Sequence, residues 1–476
     1  MPNTPILFWF RRDLRLSDHP ALTAAQASGR PVIPVFLHDE CVDDLGAAPK
    51  FRLGLSVQAL SDDLSRIGSR LTLRRGAALA SLQELIAQTG ATSVWWSRLY
   101  DPASIARDTS VKSALLEQGI DARSFEGHVL FEPWTVTTGA GGYYRVYTPF
   151  WNAVRGRPVA DVIPAVSHLT NPAHWPETDT IADWNMAQVM RRGAAVVGAH
   201  VTVGERAAIV RLGNFVATRI DRYKTDRDFP ALPATSGLSE NLTYGEISPK
   251  TIWHAGWAAM ERGAAGAEHF LKELVWRDFA YHLVYHSPEL ISGNWRPEWN
   301  GFAWNTDEDR ADVIAWKQGR TGVDFVDAAM REMYVTGTMH NRARMIVGSY
   351  LTKHLLTDWR IGQRWFADCL TDWDPAANAM GWQWVAGSGP DAAPYFRVFN
   401  PDGQADKFDA DGRYRRRWIA EGHGNPPQTA LSYFDAVPRS WGLFPKMPRA
   451  KSHLTLAQGR ERALAAYQEL RGATVG

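Results

Sequence analysis

Residues 372–384 hold the densest group of chemically active side chains in the chain, and they read Asp372-Trp373-Asp374-Pro-Ala-Ala-Asn378-Ala-Met-Gly-Trp382-Gln-Trp384. Acids, amides and indoles follow one another here within thirteen positions. A helix that only packs against a core needs an apolar face and no such set of polar and aromatic groups. The stretch therefore indicates a functional site.

Two more motif-rich regions precede this stretch. One comprises Thr321-Gly-Val-Asp-Phe-Val-Asp327 and, a little further on, Met339-His340-Asn341-Arg342-Ala-Arg344-Met345. The other lies near the start of the chain and reads Trp9-Phe-Arg11-Arg12-Asp13-Leu-Arg15-Leu. In order and spacing these motifs resemble the photolyase/cryptochrome family, and most closely its cyclobutane pyrimidine dimer (CPD) photolyases, of class I or of the plant-cryptochrome-related class III.

Composition limits the class of protein. The 476 residues suffice for two or three domains, and 45% hydrophobic residues can form sizeable cores. A formal net charge of +1 neither requires nor excludes a nucleic-acid partner. Two cysteines, Cys41 and Cys369, indicate a reducing compartment rather than a disulfide scaffold. With no signal-peptide pattern and no apolar run of about 18 residues, we expect a soluble, cytoplasmic protein without a membrane partner. A monomer is also expected.

The fold class follows from how apolar runs and helical patterns succeed one another. Over residues 1–130 they alternate, with strands predicted at 6–10, 31–37, 71–73 and 92–96 and helices at 51–68, 78–89 and 102–119. This alternation predicts an α/β domain with a Rossmann-like, doubly wound parallel sheet. Residues 131–204 favour an interdomain connector, in which 139–142 form a hairpin or loop. Residues 205–476 predict an all-α domain.

The resemblance implies two cofactors. In the family the all-α domain binds FAD, which is active in its reduced, anionic form, and the α/β domain holds a light-harvesting antenna. The antenna would be a folate, methenyltetrahydrofolate, or a deazaflavin. The turn after the first predicted strand contains no G-x-G-x-x-G, which argues against a dinucleotide site at that turn.

By the same resemblance, FAD is contacted from several segments. On its own pattern, the hydroxyl-rich run 235–239 favours a capped interhelical loop over a phosphate site, whereas the family match assigns it to the FAD phosphates. Arg344 and Asp372 match a pair beside the flavin ring, and Asn378 matches an amide that faces flavin N5. The full set implied for FAD is Tyr223, Thr235, Ser236, Gly237, Leu238, Ser239, Phe270, Glu273, Arg277, Arg344, Asp372, Trp373, Asp374 and Asn378.

The resemblance also implies contacts to damaged DNA. Glu273 and Trp276 are three residues apart and share one helix face. Glu273 would hydrogen-bond the carbonyls of the damaged bases, and partial burial could hold it protonated as a donor. Trp276 would pack on the dimer, with Trp384 as a second aromatic wall, although any single indole is more often a core residue. The full substrate set is Glu273, Trp276, Arg277, Asn341, Arg342, Met345, Trp384 and Gln404.

Three indoles match the family's electron relay between the protein surface and the flavin. They are Trp382, Trp359 and Trp304. The length of chain around Trp304 differs from that in relatives, so Trp316 or Trp299 could take its place as the outer donor. In the family, electrons that enter through such a relay reduce the flavin.

The activity that the resemblance implies is blue-light-driven repair of CPDs in DNA. Excited reduced FAD passes one electron to a flipped-out dimer, the cyclobutane bonds split and the electron returns. The residues assigned to catalysis are Glu273, Asn378, Trp382, Trp359 and Trp304. Damaged DNA is thus the expected partner.

Alternatives remain open at this point. A cryptochrome would signal instead of repairing, but Asn378 is an amide where plant cryptochromes carry an acid, and no signalling tail follows the last predicted helix. A (6-4) photolyase would have a His where Asn341 stands. An electron-transferring flavoprotein would have no DNA role. Phe270 and Thr338 replace Trp residues of some relatives, which leaves the fine shape of the pocket open.

A metal site is not expected. His269, His282 and His286 have spacings that could place ligands on a helix. No H-E-x-x-H motif and no cysteine cluster accompanies them.

Overall fold

The computed structural model describes residues 4–395 and 397–475. Five parallel strands form one sheet in the order β3-β2-β1-β4-β5, with β1 at Ile6–Phe10, β2 at Val32–His38, β3 at Thr72–Arg75, β4 at Ser93–Ser97 and β5 at Asp121–Phe125. The chain proceeds outward from β1 to β3 and then restarts on the other side of β1 with β4. The predicted doubly wound parallel sheet is therefore confirmed.

The strand that the sequence prediction misses is β5. It pairs with β4 alone, so it lies at an edge of the sheet, and only its Ala122 is buried. An edge strand that is covered on few sides can carry polar residues such as Asp121 and Arg123. Its sequence therefore contains no apolar run that a pattern search could detect.

Helices make up most of the remaining regular structure. In chain order the α-helices of the described residues are α1 Pro20–Ala27, α2 Glu40–Asp43, α3 Ala47–Arg66, α4 Ala78–Thr89, α5 Pro102–Glu117, α6 Tyr147–Val154, α7 Ile181–Trp184, α8 Gly193–Gly198, α9 Glu205–Thr218, α10 Tyr223–Asp226, α11 Ser239–Thr243, α12 Pro249–Glu261, α13 Ala267–His286, α14 Ala311–Lys317, α15 Asp324–Thr336, α16 Asn341–Ser349, α17 Trp359–Cys369, α18 Pro375–Ala386, α19 Pro401–Phe408, α20 Arg413–Trp418, α21 Gln428–Ala436 and α22 Leu456–Val475. A π-helical turn, Tyr350–His354, continues α16. From residue 205 on, the described chain has no strand apart from the isolated bridge of Asn305 with Thr357, as predicted.

No described helix is both long and apolar enough to span a lipid bilayer.

By contacts the chain divides into two compact units. The first comprises Met1–Val189, Thr202–Lys224 and Ser236–Pro288, and the second comprises Met190–Val201, Thr225–Thr235 and Glu289–Gly476. The predicted segments 1–130, 131–204 and 205–476 instead group residues by type of secondary structure. Their boundaries remain a prediction.

Alternate residues of β1 fill two different cores of the first unit. Ile6, Phe8 and Phe10 belong to one cluster of buried apolar side chains, and Leu7 and Trp9 belong to another. Successive side chains of a strand point to opposite faces, so both faces of the sheet are covered. This is why β1 is apolar at every position.

The 139–142 segment forms the turn of a small hairpin. Thr137 and Tyr143 pair as an antiparallel bridge, and the Thr138 N–H donates to the Gly142 carbonyl at 2.7 Å. Gly141 has φ +80°, a left-handed conformation that glycine adopts without strain. The hairpin-or-loop prediction is thus confirmed, and Gly141 has a conformational role.

In the second unit, the motif that begins at Thr321 serves to start α15. The Asp327 carboxylate accepts the Thr321 N–H at 2.6 Å, the Thr321 hydroxyl at 2.8 Å and the Gly322 N–H at 3.1 Å. Asp327 is 1% exposed, and a buried carboxylate is stable only when such donors satisfy it. The motif is therefore structural, and it anchors the helix that leads towards α16.

The buried ion pair between Arg52 of α3 and Glu246 provides a test of the first unit. Both side chains are fully buried, and the guanidinium reaches the two carboxylate oxygens at 3.0 and 2.8 Å. Arg52→Met would leave an uncompensated buried carboxylate, so we expect a loss of about 3–5 kcal/mol in the free energy of unfolding. Urea denaturation would measure it.

The matched control is Arg123→Met, which breaks the exposed pair of Arg123 with Asp121. That change should cost less than about 1 kcal/mol. Equal losses in the two variants would mean that the Arg52 pair contributes no more than a surface pair.

Candidate functional site

The hydroxyl-rich loop 235–239 leads into α11. Gly237 and Ser239 are exposed, while Leu238 is buried at 2% exposure. Gly237 has φ +67°, and its carbonyl accepts a hydrogen bond from Arg211. The Ser236 hydroxyl accepts the Leu238 N–H at 3.4 Å. Exposed hydroxyls beside a guanidinium are a suitable donor set for a phosphate, and sequence reasoning missed Arg211.

Tyr223 and Phe270 lie together in the first unit. Both pack against Phe215, with ring centroids 5.5 and 4.7 Å away, and they meet each other edge to face at 5.6 Å. They are 6% and 5% exposed. Two residues assigned separately to FAD thus belong to one aromatic cluster.

On α13, Trp276 stacks on a residue that the sequence prediction does not assign. Its indole lies parallel to the Tyr147 ring, with centroids 3.7 Å apart and planes 9° apart. Tyr147 is buried, and its hydroxyl donates to the Lys272 carbonyl at 2.6 Å. Glu273 is 31% exposed and lies 3.9 Å from His269. The indole orientation is therefore set by Tyr147, the first residue of α6.

Arg277 has partners inside the first unit. Its guanidinium donates to the His128 carbonyl at 2.7 Å and lies 3.0 Å from His128 Nε2. Burial, together with this guanidinium, holds the pKa of His128 well below its usual range, so the ring is neutral and Nε2 can accept. Beside it, burial raises the pKa of Asp278 to about 7. Some of the N–H groups of Arg277 are therefore engaged already.

The start of α16 carries four of the predicted residues in the second unit. Asn341 is exposed, and Arg342 and Met345 are half-buried. Arg342 pairs with Asp228 at 2.5 Å and lies over the Phe408 ring at 4.5 Å. These contacts hold the Arg342 guanidinium in one place.

The fourth residue, Arg344, reaches back to the 372–384 stretch. Its Nη2 lies 2.9 and 2.8 Å from the two oxygens of Asp372, and its Nε donates to the Met339 carbonyl at 2.8 Å. The Asp372 side chain is 3% exposed, whereas that of Arg344 is 22% exposed. The predicted pair therefore exists, and its cationic member is the more accessible one.

Asp374 and Asn378 are linked at the start of α18. Asp374 is the N-cap, because its carboxylate accepts the Ala377 N–H at 2.8 Å. The Asn378 amide donates to the Asp374 carbonyl at 3.0 Å, and among the described residues Oδ1 accepts no hydrogen bond. The geometry thus assigns Asp374 a structural role and leaves an acceptor at Asn378.

Trp382 follows Asn378 by one helical turn and shares its face of α18. It is 4% exposed, and its ring meets Phe366 edge to face at 4.9 Å. Its Nε1 is buried and donates to no described residue. Trp384 is half-buried, and Trp373 is partly buried against the core.

The remaining relay candidates differ in exposure. Trp359 is fully buried, and its Nε1 donates to Asn294 at 2.8 Å. Trp304 is half-buried, whereas Trp299 and Trp316 are 3% and 0% exposed. The bridge of Asn305 with Thr357 brings the backbone near Trp304 alongside the backbone that precedes Trp359. Exposure therefore favours Trp304 as the outer donor.

Gln404 on α19 has a buried acceptor. Its Oε1 is buried and accepts no hydrogen bond from the described residues. A buried polar atom without a partner costs free energy unless a ligand or water satisfies it. The substrate assignment of Gln404 is thus compatible with its surroundings.

The crevice at the carboxyl ends of β1 and β4, where doubly wound sheets bind ligands, is lined by charged side chains. Arg11 follows β1 and pairs with Asp108 at 2.7 Å. Arg107 pairs at 2.8 Å with Asp39, which follows β2. Both guanidinium groups lie over the Trp9 ring, at 4.6 and 4.8 Å. Two largely buried ion pairs therefore lie at this position, stacked on the Trp9 ring.

Among residues 4–395 and 397–475, no group of three or more His, Cys, Asp or Glu side chains could hold a metal ion.

Comparison with known proteins agrees with this geometry. A DNA photolyase family model matches residues 6–167, and an FAD-binding domain of DNA photolyase matches residues 270–469. A deoxyribodipyrimidine photo-lyase from Agrobacterium fabrum is 43% identical, with 100% of each chain covered. A class III photolyase from Agrobacterium tumefaciens superposes with TM-score 0.91 and 43% identity, covering 99% of this chain and 98% of that one. A Synechocystis cryptochrome superposes with TM-score 0.83 and 25% identity, covering 98% and 99%.

A doubly wound sheet followed by a helical part that matches an FAD-binding domain defines a two-part flavoprotein. The chain belongs to the photolyase/cryptochrome family, since a full-length relative shares 43% of its residues. Both the family and the FAD cofactor inferred from the sequence are confirmed.

The position of Trp382 can be tested through a glycine of α17. A Cβ on Gly362 would overlap the Trp382 ring and Leu351. We expect Gly362→Ala to displace the indole and to cost about 1–3 kcal/mol of stability. Urea denaturation would measure the cost, and near-ultraviolet circular dichroism would report the indole.

Gly381→Ala is the matched control, because a Cβ at Gly381 of α18 would meet no atom within 4 Å. That variant should be neutral or more stable by up to about 1 kcal/mol. A Gly362→Ala protein as stable as the Gly381→Ala protein would contradict the close packing on Trp382.

Proposed function

We propose that the protein is a CPD photolyase that repairs pyrimidine dimers in DNA under blue light. The observation that carries this proposal is the arrangement of Arg344, Asp372 and Asn378 in the second unit. It provides an accessible cation and an amide acceptor, and no acid stands at the Asn378 position. When bound and reduced, FAD supplies the light-driven electron that splits the dimer.

The residues present fit an anionic flavin. Arg344 supplies a positive charge that would stabilise negative charge on the ring, and Asp372 holds the guanidinium in place by a two-oxygen contact. Asn378 Oδ1 would accept a hydrogen bond from the flavin, while a carboxamide cannot release a proton near neutral pH. The loop 235–239 and Tyr223 would hold the remainder of the cofactor. The other assigned residues that would line it are Phe270, Glu273, Arg277 and Trp373.

The chain's aromatic and basic residues would bind the lesion. Moving a nucleotide out of the duplex costs a few kcal/mol of unstacking free energy, and this cost is lower for a damaged site such as the dimer. Trp276, held flat by Tyr147, would stack on the dimer. The resemblance assigns Trp384 to the substrate as well. Asn341 and Arg342 would contact the substrate and its backbone. Stacking of this kind contributes about 1–3 kcal/mol per base.

Cryptochrome signalling is the rival function, and the fold does not decide against it. The Synechocystis cryptochrome shares the fold with TM-score 0.83. What favours repair is chemical, since Asn378 is an amide and the residues that the resemblance assigns to the lesion occur in the chain. An Asn at position 341 likewise favours CPDs over (6-4) lesions.

We also propose finer assignments. The similarity to a class III photolyase favours class III over class I. The antenna would be methenyltetrahydrofolate or a deazaflavin. We expect a cytoplasmic monomer.

The decisive experiment uses an oligonucleotide with one thymine dimer and the purified holoprotein with reduced FAD. Under blue light the dimer should revert to two thymines, and in the dark it should persist. An otherwise identical oligonucleotide with a (6-4) lesion is the matched control and should stay unrepaired. No light-dependent reversal of the dimer would refute the proposal.

The charge at position 378 separates a photolyase from a cryptochrome. Asn378→Asp introduces a titratable group: ionised, it repels an anionic ring, and protonated, it can release a proton to N5. We expect the absorption spectrum of the bound flavin during reduction to shift towards its protonated forms, with lower repair yield and little change in lesion affinity.

Asn214→Asp makes the same chemical change at an exposed position of α9 and is the control. Identical spectra and full repair in Asn378→Asp would show that Asn378 does not contact the flavin.

Trp382→Phe tests the relay. Phe is harder to oxidise than Trp, so light-driven reduction of oxidised FAD should be blocked, while chemically pre-reduced protein should still repair dimers. Trp365→Phe, on the same helix as Trp359 but outside the assigned relay, is the control and should behave as wild type. Transient absorption would measure the reduction, and a normal rate in Trp382→Phe would exclude it as the first donor.

A further inference from the structure

Glu332 makes two hydrogen bonds that neither the motifs nor the relay explain. It lies near the end of α15, and its Oε2 accepts the His340 N–H at 3.2 Å and the Tyr414 hydroxyl at 2.5 Å. Tyr414 belongs to α20 and is fully buried. A single carboxylate oxygen thus joins the start of α16 to a rigid residue of another helix.

The residue that Glu332 holds is the N-cap of α16. His340 Nδ1 accepts the Arg342 N–H at 3.1 Å, and the His340 carbonyl accepts the Arg344 N–H at 3.0 Å. Asn341, which is exposed, is the first residue of the helix. A shift of His340 would therefore move the backbone of the residues that we assign to the substrate.

A carboxyl is an unexpected choice at this place. Burial raises the pKa of Glu332 to about 7, against the opposing effects of the Tyr414 hydroxyl, the His340 N–H and the guanidinium groups of Arg344 and Arg417. An apolar residue would avoid this cost, so a specific use of its acceptor atoms explains its presence better than packing does.

We propose that Glu332 is a positioning residue for lesion recognition: anchored by Tyr414, it fixes His340 and thereby the backbone of Asn341 and Arg342. This role rests on the proposed function, because those two residues are assigned to the substrate there. It is distinct from a contact with DNA or flavin, neither of which Glu332 needs to touch.

The test compares two substitutions at position 332. Glu332→Gln keeps a side-chain oxygen that can accept both hydrogen bonds, whereas Glu332→Met has a similar length and no comparable acceptor. Affinity of the holoprotein is measured for matched oligonucleotides with and without one thymine dimer. Hydrogen exchange of the amides at 339–343 is measured in the same proteins without DNA.

We expect Glu332→Met to lower the preference for the damaged oligonucleotide on the order of five- to tenfold, the effect of one lost hydrogen bond of ordinary strength. Amides at 339–343 should exchange faster. Glu332→Gln should keep both the preference for damaged DNA and the amide exchange at the wild-type level. Tyr414→Phe should act in the same direction as Glu332→Met, and adding it to Glu332→Met should change little, because both act through one contact.

Glu117→Met removes an exposed carboxyl from α5 and is the control. Unchanged exchange at 339–343 in Glu332→Met would overturn the proposal, and so would faster exchange with an unchanged preference for damaged DNA. If Glu332→Met does not fold, Tyr414→Phe decides by the same two measurements. If the wild-type protein shows no preference for the dimer, the proposed function is refuted instead. The exchange data would then still decide whether Glu332 fixes the backbone at His340.

Discussion

The ion pair of Arg344 with Asp372 is the interaction on which the motif residues of the second unit depend. Asp372 is nearly buried, and a buried carboxylate without its cation would cost several kcal/mol. The guanidinium is fixed at a second point by the Met339 carbonyl, so it connects the turn before α16 with the residues that open α18. The start of α16 and the face that carries Asn378 and Trp382 therefore belong to one rigid arrangement.

Several residues that motif matching assigns to chemistry also hold the backbone. Asp374 caps α18, and Asp327 satisfies the turn before α15. Such roles do not exclude ligand contact, since a carboxylate can accept more than one hydrogen bond. They do mean that the occurrence of an acid in a family motif is weak evidence for a catalytic role. Geometry separates the cases: Asn378 retains an acceptor atom, whereas one oxygen of Asp374 is bound to its own helix.

The sheet has the strand order that is typical of doubly wound folds. At the position where such folds bind ligands, however, it carries paired charged side chains. The strand order creates a crevice beside β1, yet Arg11 and Arg107 enter that region with their carboxylate partners. Both ion pairs are largely buried and lie against the Trp9 ring. A chromophore bound there would have to leave both ion pairs intact or replace their partners, because an unpaired charge is unfavourable in a low-dielectric environment. Fold topology thus predicts where a ligand could bind, and side chains determine whether it does.

The sequence by itself determined the features that depend on neighbouring residues: the apolar strands β1, β2 and β4, the helical second half, the hairpin at 139–142 and the functional density of 372–384. Only the tertiary structure decided the rest. The edge strand β5 needs β4 to be recognisable, Trp276 is oriented by Tyr147 on a different helix, and Glu332 meets Tyr414 across 82 residues of chain. Periodicity records which face of an element is buried, but not which distant residue covers it, because a non-local contact leaves no spacing pattern in the sequence.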